Sequence, residues 1–330
     1  MTKQSALKGL GFHVPDKIVS NQDLEKIIDT TDEWITTRTG IKTRHYAEPG
    51  IGTSDLALEA SLKALKDAGM SPGDLTHIIV PTFTPDSYVP SAGCILQHKL
   101  GIPGIPSYDI AAACSGFLYG LENARALVAL HPEANVLVAA SEVISSRTNF
   151  KDRSTCVLFG DGAGAVVVGA CDNAASPGRI IDILLTADGT LGELLTVKGG
   201  GSCTPPLLDA PIGPEYFVQM EGRDVFKHAV RSMATVCKDI LAKNSLSTDD
   251  IDLVIPHQAN IRIIQSLGKK LNVSPDRIFV NVDRYGNTSA ASVPIALAEA
   301  RDQGRITPGS KVLLTSFGGG FTCASTLLQF

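Results

Sequence analysis

The residues of this chain best suited to chemistry are a cysteine, a histidine and an asparagine, each in a distinctive local sequence. Cys114 lies in YDIAAACSGF (108–117), His257 in IPHQAN (255–260) and Asn287 in YGNTSA (285–290). A cysteine that follows an apolar strand and opens a helix can attack a thioester carbonyl, because a helix N-terminus favours a thiolate and lowers the thiol pKa. The other two side chains can donate hydrogen bonds to the developing charge. Together, the three segments predict acyl-transfer chemistry.

His257 differs from the other histidines in its surroundings. A proline precedes it at a predicted strand end, and Gln-Ala-Asn opens a helix after it. A neutral imidazole there can donate one hydrogen bond while backbone holds its other nitrogen. Metal binding is disfavoured, because no second histidine, cysteine or carboxylate lies at ligand spacing. The remaining six are interpreted as surface or satisfied residues: His13, His45, His77, His98, His131 and His228.

Length and composition exclude several classes of protein. The chain has 330 residues, of which 44% are hydrophobic and 19% charged, so it can bury one large core or two medium ones. Its formal net charge of −5 gives no reason to expect nucleic acid or an anionic membrane as the main partner. Residues 1–10 lack a basic segment followed by an apolar run, and no stretch of about 18 apolar residues occurs. We therefore expect a soluble, cytoplasmic protein.

The seven cysteines show no CxxC or CxxH spacing that would indicate zinc, and a large cytosolic domain needs no disulfides. Cys171, Cys237 and Cys323 have apolar or small neighbours and are predicted to be core thiols. Cys114 could be interpreted in the same way from composition alone. Its position between a strand and a helix, and the donors downstream, favour a catalytic role instead.

Alternating apolar strands and amphipathic helices predict an α/β fold with parallel-rich sheets covered by helices. In the first half we predict a helix over 54–68, a strand over 77–81, a helix over 95–100, a strand over 106–111, a helix over 115–130 and strands over 135–140 and 163–170. In the second half we predict a helix over 224–244, a strand over 252–256, a helix over 261–271, a strand over 277–282, a helix over 289–303 and strands over 311–315 and 323–328.

The two halves have the same element order, which favours duplication over a single doubly wound sheet with chance similarity. The first strand begins 37 residues before Cys114 in one half, and 35 residues before Asn287 in the other. We therefore expect these two residues at equivalent strand-to-helix corners that face each other. His257 ends the strand equivalent to the one at His77, at the carboxyl edge where such sheets bind ligands. The predicted boundary lies between residues 172 and 173.

Glycine-rich segments and one tryptophan segment need separate interpretation. GDGAG (160–164) precedes a strand rather than a helix, so it predicts a tight turn and not a nucleotide site. GGG (318–320) lets backbone approach closely, so an N–H group there could reach an oxygen near Cys114. The segment 199–214 is interpreted as a surface loop. Trp34 is either a structural anchor or, with Arg38, a site for an adenine and its phosphates, and residue chemistry leaves both open.

The chain resembles the β-ketoacyl-acyl carrier protein synthases III of the thiolase superfamily, nearly from end to end. The matching segments are DTTDEWI (29–35), RTG (38–40), AAACSG (111–116), DR (152–153), FGDGAG (159–164), PHQAN (256–260), GNTSAAS (286–292) and FGGGF (317–321). The resemblance implies a thiolase-like five-layer αβαβα fold from two duplicated halves, and a homodimer. It also implies the first condensation of type II fatty-acid synthesis, in which an acyl-CoA primer and malonyl-acyl carrier protein give a β-ketoacyl-acyl carrier protein, CoA and CO2, with no cofactor besides the substrates.

The resemblance also implies roles for individual residues. Cys114 would be the acylated nucleophile, and His257 and Asn287 would serve the decarboxylative step. We expect the backbone N–H groups of Cys114 and Gly319 to form the oxyanion hole. Residues of the coenzyme A tunnel and its mouth would be Thr30, Trp34, Arg38 and Arg153 along the nucleotide, Asn260 at the pantetheine arm, Phe317 at the acyl pocket and Arg262 in a basic patch that receives the carrier protein.

Two positions depart from the family pattern. Arg223 stands where the best-known members carry an asparagine that touches pantetheine. Val89 stands where acetyl-specific members carry a phenylalanine from the partner subunit, so the primer can be longer than acetyl. The preferred primer and the pantetheine contact are therefore open.

Related activities remain as alternatives. Elongating synthases use Cys-His-His, so Asn287 favours an initiating enzyme. Chalcone-synthase-like enzymes share Cys-His-Asn but lack the segment with Trp34 and Arg38. Hydroxymethylglutaryl-CoA synthases and head-to-head condensers need a catalytic glutamate, and none lies beside Cys114 in the sequence. A relative that makes signalling or secondary metabolites, and a non-catalytic thiolase-fold subunit, are the other possibilities.

Overall fold

The computed structural model describes residues 4–171, 176–206 and 211–330. The strands are β1 (Gln4–His13), β2 (Ile18–Ser20), β3 (Thr43–His45), β4 (His77–Pro81), β5 (Ser107–Ile110), β6 (Asn135–Glu142), β7 (Gly162–Cys171), β8 (Arg179–Ala187), β9 (Leu195–Thr196), β10 (Gln219–Met220), β11 (Leu253–Pro256), β12 (Lys311–Gly318) and β13 (Thr322–Gln329). The α-helices are α1 (Asn21–Glu25), α2 (Asp32–Thr39), α3 (Thr53–Ala68), α4 (Ala92–Leu100), α5 (Gly116–Leu130), α6 (Arg153–Cys156), α7 (Gly222–Lys243), α8 (Ile261–Leu271), α9 (Val282–Tyr285) and α10 (Ser292–Asp302).

Nine strands form one mixed sheet in the order β11-β12-β13-β8-β1-β7-β6-β4-β5. The order is nearly symmetric about the β1–β8 pair. From β1 outward, β7 and β6 pair antiparallel, and β4 and β5 follow in parallel. From β8 outward, β13 and β12 pair antiparallel, and β11 follows in parallel. Each half therefore repeats the same arrangement of strands, as the sequence predicts.

Helices cover both faces of each half. Helices α3 and α4 pack on β1, β4, β5, β6 and β7, while α7 and α8 lie on the other side of the molecule, with α7 against β8, β12 and β13. Helices α5 and α10 contact strands of both halves and therefore lie between them. Their facing residues, such as Phe117, Leu121, Val293 and Leu297, are at most 1% exposed and join both halves in one core. The predicted five-layer α/β fold is confirmed.

The predicted strand over 277–282 is wrong. Only Ile278 forms a parallel bridge, to Val254, at the position equivalent to β5 in the first half. The reason is that a side chain takes the backbone donors that a strand would use. Oε1 of the buried Gln258 accepts hydrogen bonds from the N–H groups of Asn281 and Val282, at 2.9 and 3.2 Å. The chain then turns into α9.

Other differences concern element ends and missing elements. Helix α4 begins at Ala92, three residues earlier than predicted, because Ser91 caps it. The predicted helix over 289–303 is a 3-10 turn, Ser289–Ala291, followed by α10. The central pair β1 and β8 is not in the sequence prediction. The boundary predicted between residues 172 and 173 lies outside the described residues, and so do residues 207–210 of the predicted surface loop.

The segment GDGAG (160–164) does not form the tight turn that the sequence predicts. Gly160 and Asp161 lie in irregular backbone and Gly162 begins β7, so the segment leads into a strand and not into a helix N-terminus. Cys171, Cys237 and Cys323 are buried free thiols. In the described parts of the chain, none of the helices combines the length and apolar character that a membrane span requires.

Candidate active site

Cys114, His257 and Asn287 line one cavity of about 1330 Å³. They reach it from three separate parts of the chain: the turn after β5, the end of β11 and the segment after α9. Ligand pockets typically measure roughly 300–1000 Å³, so this cavity has room for an extended substrate. The structure therefore brings together the three residues that the sequence selects.

Cys114 lies in a 3-10 turn, Ala113–Ser115, that two side-chain hydrogen bonds tie to the start of β13. The hydroxyl of Thr322 donates to the carbonyl of Ala112 at 2.9 Å, and the hydroxyl of Ser115 donates to the carbonyl of Thr322 at 3.1 Å. Ala113 has a left-handed φ of 46°, which is uncommon for a residue with a side chain and is concentrated at functional sites. Cys114 is thus held rigidly at a strained corner of the backbone.

Gly318, at the end of β12, packs directly on this corner. A side chain at position 318 would place its Cβ 2.6 Å from the backbone nitrogen of Cys114, which no real contact tolerates. The position therefore requires glycine for close approach of two backbones. This contact brings Gly319, which also lines the cavity, next to the turn that carries Cys114.

The expectation that the helix N-terminus lowers the pKa of the Cys114 thiol is wrong. The residue borders the cavity and lies two residues before α5, but loss of solvation raises the pKa of its thiol to about 12. Loss of solvation, which disfavours the charged form, outweighs the hydrogen bonds that favour it. At neutral pH the unliganded protein holds a thiol at this position, so a proton must leave when the sulfur attacks.

His257 is buried and neutral. Its N–H donates to the carbonyl of Thr315 at 2.8 Å, which fixes it at the carboxyl end of β11. Burial lowers the pKa of the imidazole to about 4. Nδ1 lies 2.5 Å from Oγ of Ser292, which is also 3.4 Å from the N–H of Gln258. Because that oxygen accepts from Gln258, its proton is free to go to Nδ1, and we assign the imidazole proton to Nε2. A serine side chain, rather than the backbone expected from sequence, orients the ring.

Asn287 is held by backbone on both sides. Its N–H donates to the carbonyl of Leu158 at 2.8 Å, and its carbonyl accepts from Gly160 at 3.1 Å. The side-chain Oδ1 accepts the N–H of Ser289 at 2.9 Å, which leaves the amide nitrogen Nδ2 to donate elsewhere. Gly160 is required here, because a Cβ on it would lie 2.2 Å from the carbonyl oxygen of Tyr285. Gly160 thus positions Asn287.

The predicted equivalence of Cys114 and Asn287 is off by three residues. The left-handed residue of the first half, Ala113, has its counterpart in Ser289, whose φ is 49°. Each opens a 3-10 turn that leads into a helix between the layers. By this match Cys114 corresponds to Ala290, and each lies 37 residues after the start of β4 or β11. Asn287 reaches the site because it lies just before the equivalent corner.

Trp34 lies at the cavity mouth close to two guanidinium groups. Those of Arg38 and Arg153 lie 4.6 and 4.5 Å from the ring centroid, and Arg153 also donates to the carbonyl of Asp29 at 2.8 Å. Asn260, the N-cap of α8, donates to the carbonyl of Arg38 at 3.1 Å. Thr30 is buried and is not among the residues that line the cavity. The mouth thus presents a flat aromatic ring flanked by cations, a geometry that suits an adenine nucleotide.

Further cations line the cavity and form a basic rim. Arg223, Lys227 and Arg262 all line the cavity, and the guanidinium of Arg262 lies 5.9 Å from the ring centroid of Phe226. Deeper inside, the buried Phe317 packs on Phe321 at 4.7 Å between centroids and walls the cavity.

Val89 does not reach the cavity of its own chain. It is 87% exposed, whereas its neighbour Tyr88 and the nearby Phe83 are among the lining residues. A contact between Val89 and an acyl pocket therefore requires a second subunit.

Sequence reasoning missed three polar residues of the site: Ser292 behind His257, Ser289 beside Asn287, and the buried Glu142 at the end of β6. Ser289 and Ser292 stand within the motif GNTSAAS, but nothing in their type distinguishes them from ordinary helix-start serines. No sequence motif points to Glu142, which ends an apolar strand 28 residues after Cys114. Among the described residues, no group of histidine, cysteine and carboxylate side chains is arranged to hold a metal ion.

Comparison with known proteins gives a consistent answer over the whole chain. Family models described as 3-oxoacyl-[acyl-carrier-protein] synthase III match residues 108–189 and, for the C-terminal part, residues 241–330. The β-ketoacyl-[acyl-carrier-protein] synthase III of Oleidesulfovibrio alaskensis is 55% identical over 329 residues and is covered completely, as is this chain. That of Roseiflexus castenholzii is 47% identical over 333 residues, which cover 100% of this chain and 99% of the relative. The crystal structure of 3-oxoacyl-[acyl-carrier-protein] synthase III from Aquifex aeolicus is 44% identical, with a TM-score of 0.90 over 99% of this chain and 100% of that one.

Proposed function

This chain belongs to the 3-oxoacyl-[acyl-carrier-protein] synthase III family, and we propose that Cys114, His257 and Asn287 are the residues that carry out its reaction. The protein is a β-ketoacyl synthase that condenses an acyl-CoA primer with malonyl-acyl carrier protein and so initiates fatty-acid synthesis. The observation that carries the assignment of roles is the convergence of one thiol and two uncharged donors on a single cavity.

In the first half-reaction, the sulfur of Cys114 attacks the carbonyl carbon of the acyl-CoA. The N–H groups of Cys114 and Gly319 stabilise the tetrahedral oxyanion, and the close packing of Gly318 against the Cys114 turn supports this pairing. Loss of one donor of such a hole typically costs roughly 100-fold or more in rate. CoA leaves and the acyl group stays on the sulfur, which gives ping-pong kinetics.

In the second half-reaction, malonyl-acyl carrier protein enters and loses CO2. The electron pair of the broken bond delocalises onto the thioester oxygen as an enolate. The Nε2–H of His257 and the Nδ2–H of Asn287 donate to that oxygen. Both donors are uncharged, since burial lowers the pKa of His257 to about 4. The enolate carbon then attacks the acyl-cysteine and releases the sulfur of Cys114.

The cavity mouth receives the coenzyme A nucleotide in this proposal. The Trp34 ring stacks on adenine, and Arg38 and Arg153 meet the phosphates. Asn260 and Arg223 lie along the path of the pantetheine arm, and Thr30 supports the Trp34 segment from its buried position. Phe317 walls the pocket beside the nucleophile and shields the malonyl carboxylate from water. We further propose that the protein works in the cytoplasm as a homodimer.

The test of the proposed acceptor is a direct comparison of two second substrates. The acyl-enzyme should give a β-ketoacyl product with malonyl-acyl carrier protein and much less with malonyl-CoA, because the carrier protein adds binding at the basic rim. A product formed only with malonyl-CoA, or with another acceptor, would assign the chain to a metabolite-making branch of the superfamily.

Arg262→Glu should raise the KM for malonyl-acyl carrier protein about 10-fold and leave acylation by acyl-CoA nearly unchanged. The side chain is exposed on the rim, so it meets an acidic carrier protein by electrostatic attraction that weakens as salt rises. Steady-state kinetics of both half-reactions at several salt concentrations check this. Lys270→Glu, the same charge change on α8 outside the cavity lining, is the matched control. Equal losses in both half-reactions would indicate that Arg262 supports the fold rather than the docking of the carrier protein.

Val89→Phe should restrict the range of primers that the enzyme accepts toward acetyl-CoA, because residue 89 of the partner subunit is proposed to close the acyl pocket. With valine there, each further buried methylene adds about 0.8 kcal/mol, roughly fourfold in affinity, until the pocket ends. The unchanged protein should therefore accept primers of about four or more carbons. The measurement is kcat/KM from acetyl- to decanoyl-CoA, with Val89→Ala as the control that keeps the pocket open. A steep fall beyond acetyl in the unchanged protein would contradict the idea.

A further inference from the structure

Glu142 is a buried carboxyl group with one oxygen fully engaged and the other without a partner. Oε2 accepts from the hydroxyls of Thr82 and Thr84, at 3.0 and 2.6 Å, and from the backbone N–H groups of Phe83 and Thr84, both at 3.2 Å. Oε1 is buried without a hydrogen bond among the described residues. Buried polar atoms are almost always paired, so an unpaired carboxylate oxygen beside a reaction centre needs an explanation.

The Ser289 hydroxyl is close to both this carboxyl group and the thiol of Cys114. The turn Ser289–Ala291 packs on both the Cys114 turn and β6, which ends at Glu142. Interaction with the hydroxyl lowers the pKa of Cys114 and that of Glu142, against the larger effect of burial on each. In the unliganded protein the hydroxyl is buried and meets neither group in full hydrogen-bond geometry. Two unpaired buried oxygens, Oε1 of Glu142 and Oγ of Ser289, therefore lie near the sulfur of Cys114.

The backbone conformation at Ser289 supports the same conclusion. Its φ of 49° is left-handed, a conformation that is strained for a residue other than glycine. The N–H of Ser289 is bound by Asn287, so the strained conformation sets the hydroxyl and the catalytic amide together. Strain retained at this position is consistent with a role for the hydroxyl.

We propose that Glu142, acting through the hydroxyl of Ser289, is the proton acceptor for the thiol of Cys114. The proposal deepens the function given above and rests on it. Glu142 is then a positioning residue that acts through Ser289, without contact to the substrate.

The alternative acceptor, His257, is poorly suited to the task. Burial lowers the pKa of its imidazole to about 4, whereas burial raises the pKa of the Glu142 carboxyl to about 7, which makes the carboxylate the stronger base. The negative charge of Glu142 also raises the pKa of Cys114. The two groups therefore disfavour carrying a negative charge at the same time, and their protonation is coupled. The other titratable carboxyl nearby in sequence, Asp161, is bound by Ser145 and the N–H of Ala47.

The proton movements balance over the catalytic cycle. As the sulfur attacks the acyl carbonyl, the thiol proton passes to the oxygen of Ser289, and the hydroxyl proton of Ser289 passes to Oε1 of Glu142. The CoA thiolate leaves and takes a proton from solvent. Glu142 stays protonated while the acyl group is on Cys114. When the enolate carbon displaces the sulfur, the proton returns through Ser289 to Cys114.

The test measures the reactivity of Cys114 against pH by two probes: alkylation by iodoacetamide, followed on the Cys114 peptide by mass spectrometry, and acylation by acyl-CoA. In the unchanged protein both rates should rise through pH 7, because a raised carboxyl pKa makes the base available only above that pH. Glu142→Gln should lower both rates on the order of 100-fold at pH 7, with a deficit that shrinks as the pH rises. Ser289→Ala should do the same, and alanine tolerates the backbone there because Ala113 adopts the same conformation.

Asp161→Asn is the matched control, since Asp161 is also fully buried and hydrogen-bonded; it should lower stability without moving the pH profile. The double variant Glu142→Gln with Ser289→Ala should be no slower than either single one. The proposed proton transfer through Ser289 would be overturned by unchanged pH profiles in the single variants. It would also be overturned if the rate loss in the double variant were the product of the two single losses. If Glu142→Gln does not fold, the pH profile of Cys114 reactivity in Ser289→Ala tests the proposal by itself. An unchanged protein that reacts with iodoacetamide but never with acyl-CoA would refute the proposed function. The alkylation profiles would still test the proton transfer from Cys114 to Glu142.

Discussion

Replacing Cys114 by alanine is expected to abolish acyl-enzyme formation and condensation, because no other thiol lines the cavity in the described part of the chain. The acyl group then has no attachment point, and the loss should reach the detection limit of the assay. Slow decarboxylation of malonyl-acyl carrier protein should remain, since His257 and Asn287 still donate to the enolate oxygen. The measurements are intact mass after incubation with acyl-CoA, and CO2 release from the malonyl substrate.

Cys94→Ala is the control for this experiment. Cys94 is an exposed thiol on α4, outside the cavity lining, and its loss should leave acylation unchanged. A stable acyl-enzyme in the Cys114→Ala variant would show that another residue is the nucleophile.

Replacing His257 or Asn287 by alanine should slow decarboxylation by about 100-fold or more, because each change removes one donor to the enolate oxygen. The double variant should lose less than the product of the two single losses, since both donors act on one oxygen. Acylation should suffer much less in each. Parallel assays of acyl-enzyme formation and CO2 release separate the two half-reactions.

The pH dependence of this step adds a second check. Because burial lowers the pKa of His257 to about 4, the neutral form is already present above that pH, and protonation of His257 should not affect decarboxylation between pH 5 and 8. A rate that falls as the pH rises through 6 to 7 would indicate imidazolium as the donor. Ser292→Ala, which frees Nδ1, should give a smaller loss than His257→Ala, because the ring stays in place.

Local sequence predicted much of the fold, because strands and helices here follow their apolar periodicity. The β4 strand and the α8 helix have the predicted bounds. The prediction failed at residues 277–282, where the Gln258 side chain takes backbone N–H groups that a strand would use. A contact between residues more than 20 positions apart leaves no trace in local periodicity.

The sequence selected three residues that the structure brings to one cavity, but it did not reveal the residues around them. Cys114, His257 and Asn287 stand in recognisable motifs, so sequence could select them. The pKa of Cys114 could not be predicted, because burial by distant segments outweighs the helix terminus that sequence shows. The same holds for Glu142, whose proposed role rests on the packing of β6 against the turn at Ser289.

The most direct test of the proposed site is to follow the acyl group through one turnover. The protein is mixed with one equivalent of acyl-CoA, digested and mapped by mass spectrometry, and a second sample receives malonyl-acyl carrier protein before digestion. We expect one acyl mass on the peptide that contains Cys114, and its disappearance in the second sample with formation of an equal amount of β-ketoacyl-acyl carrier protein. An acyl group on any other residue, or product formed while the acyl group stays on Cys114, would contradict the account.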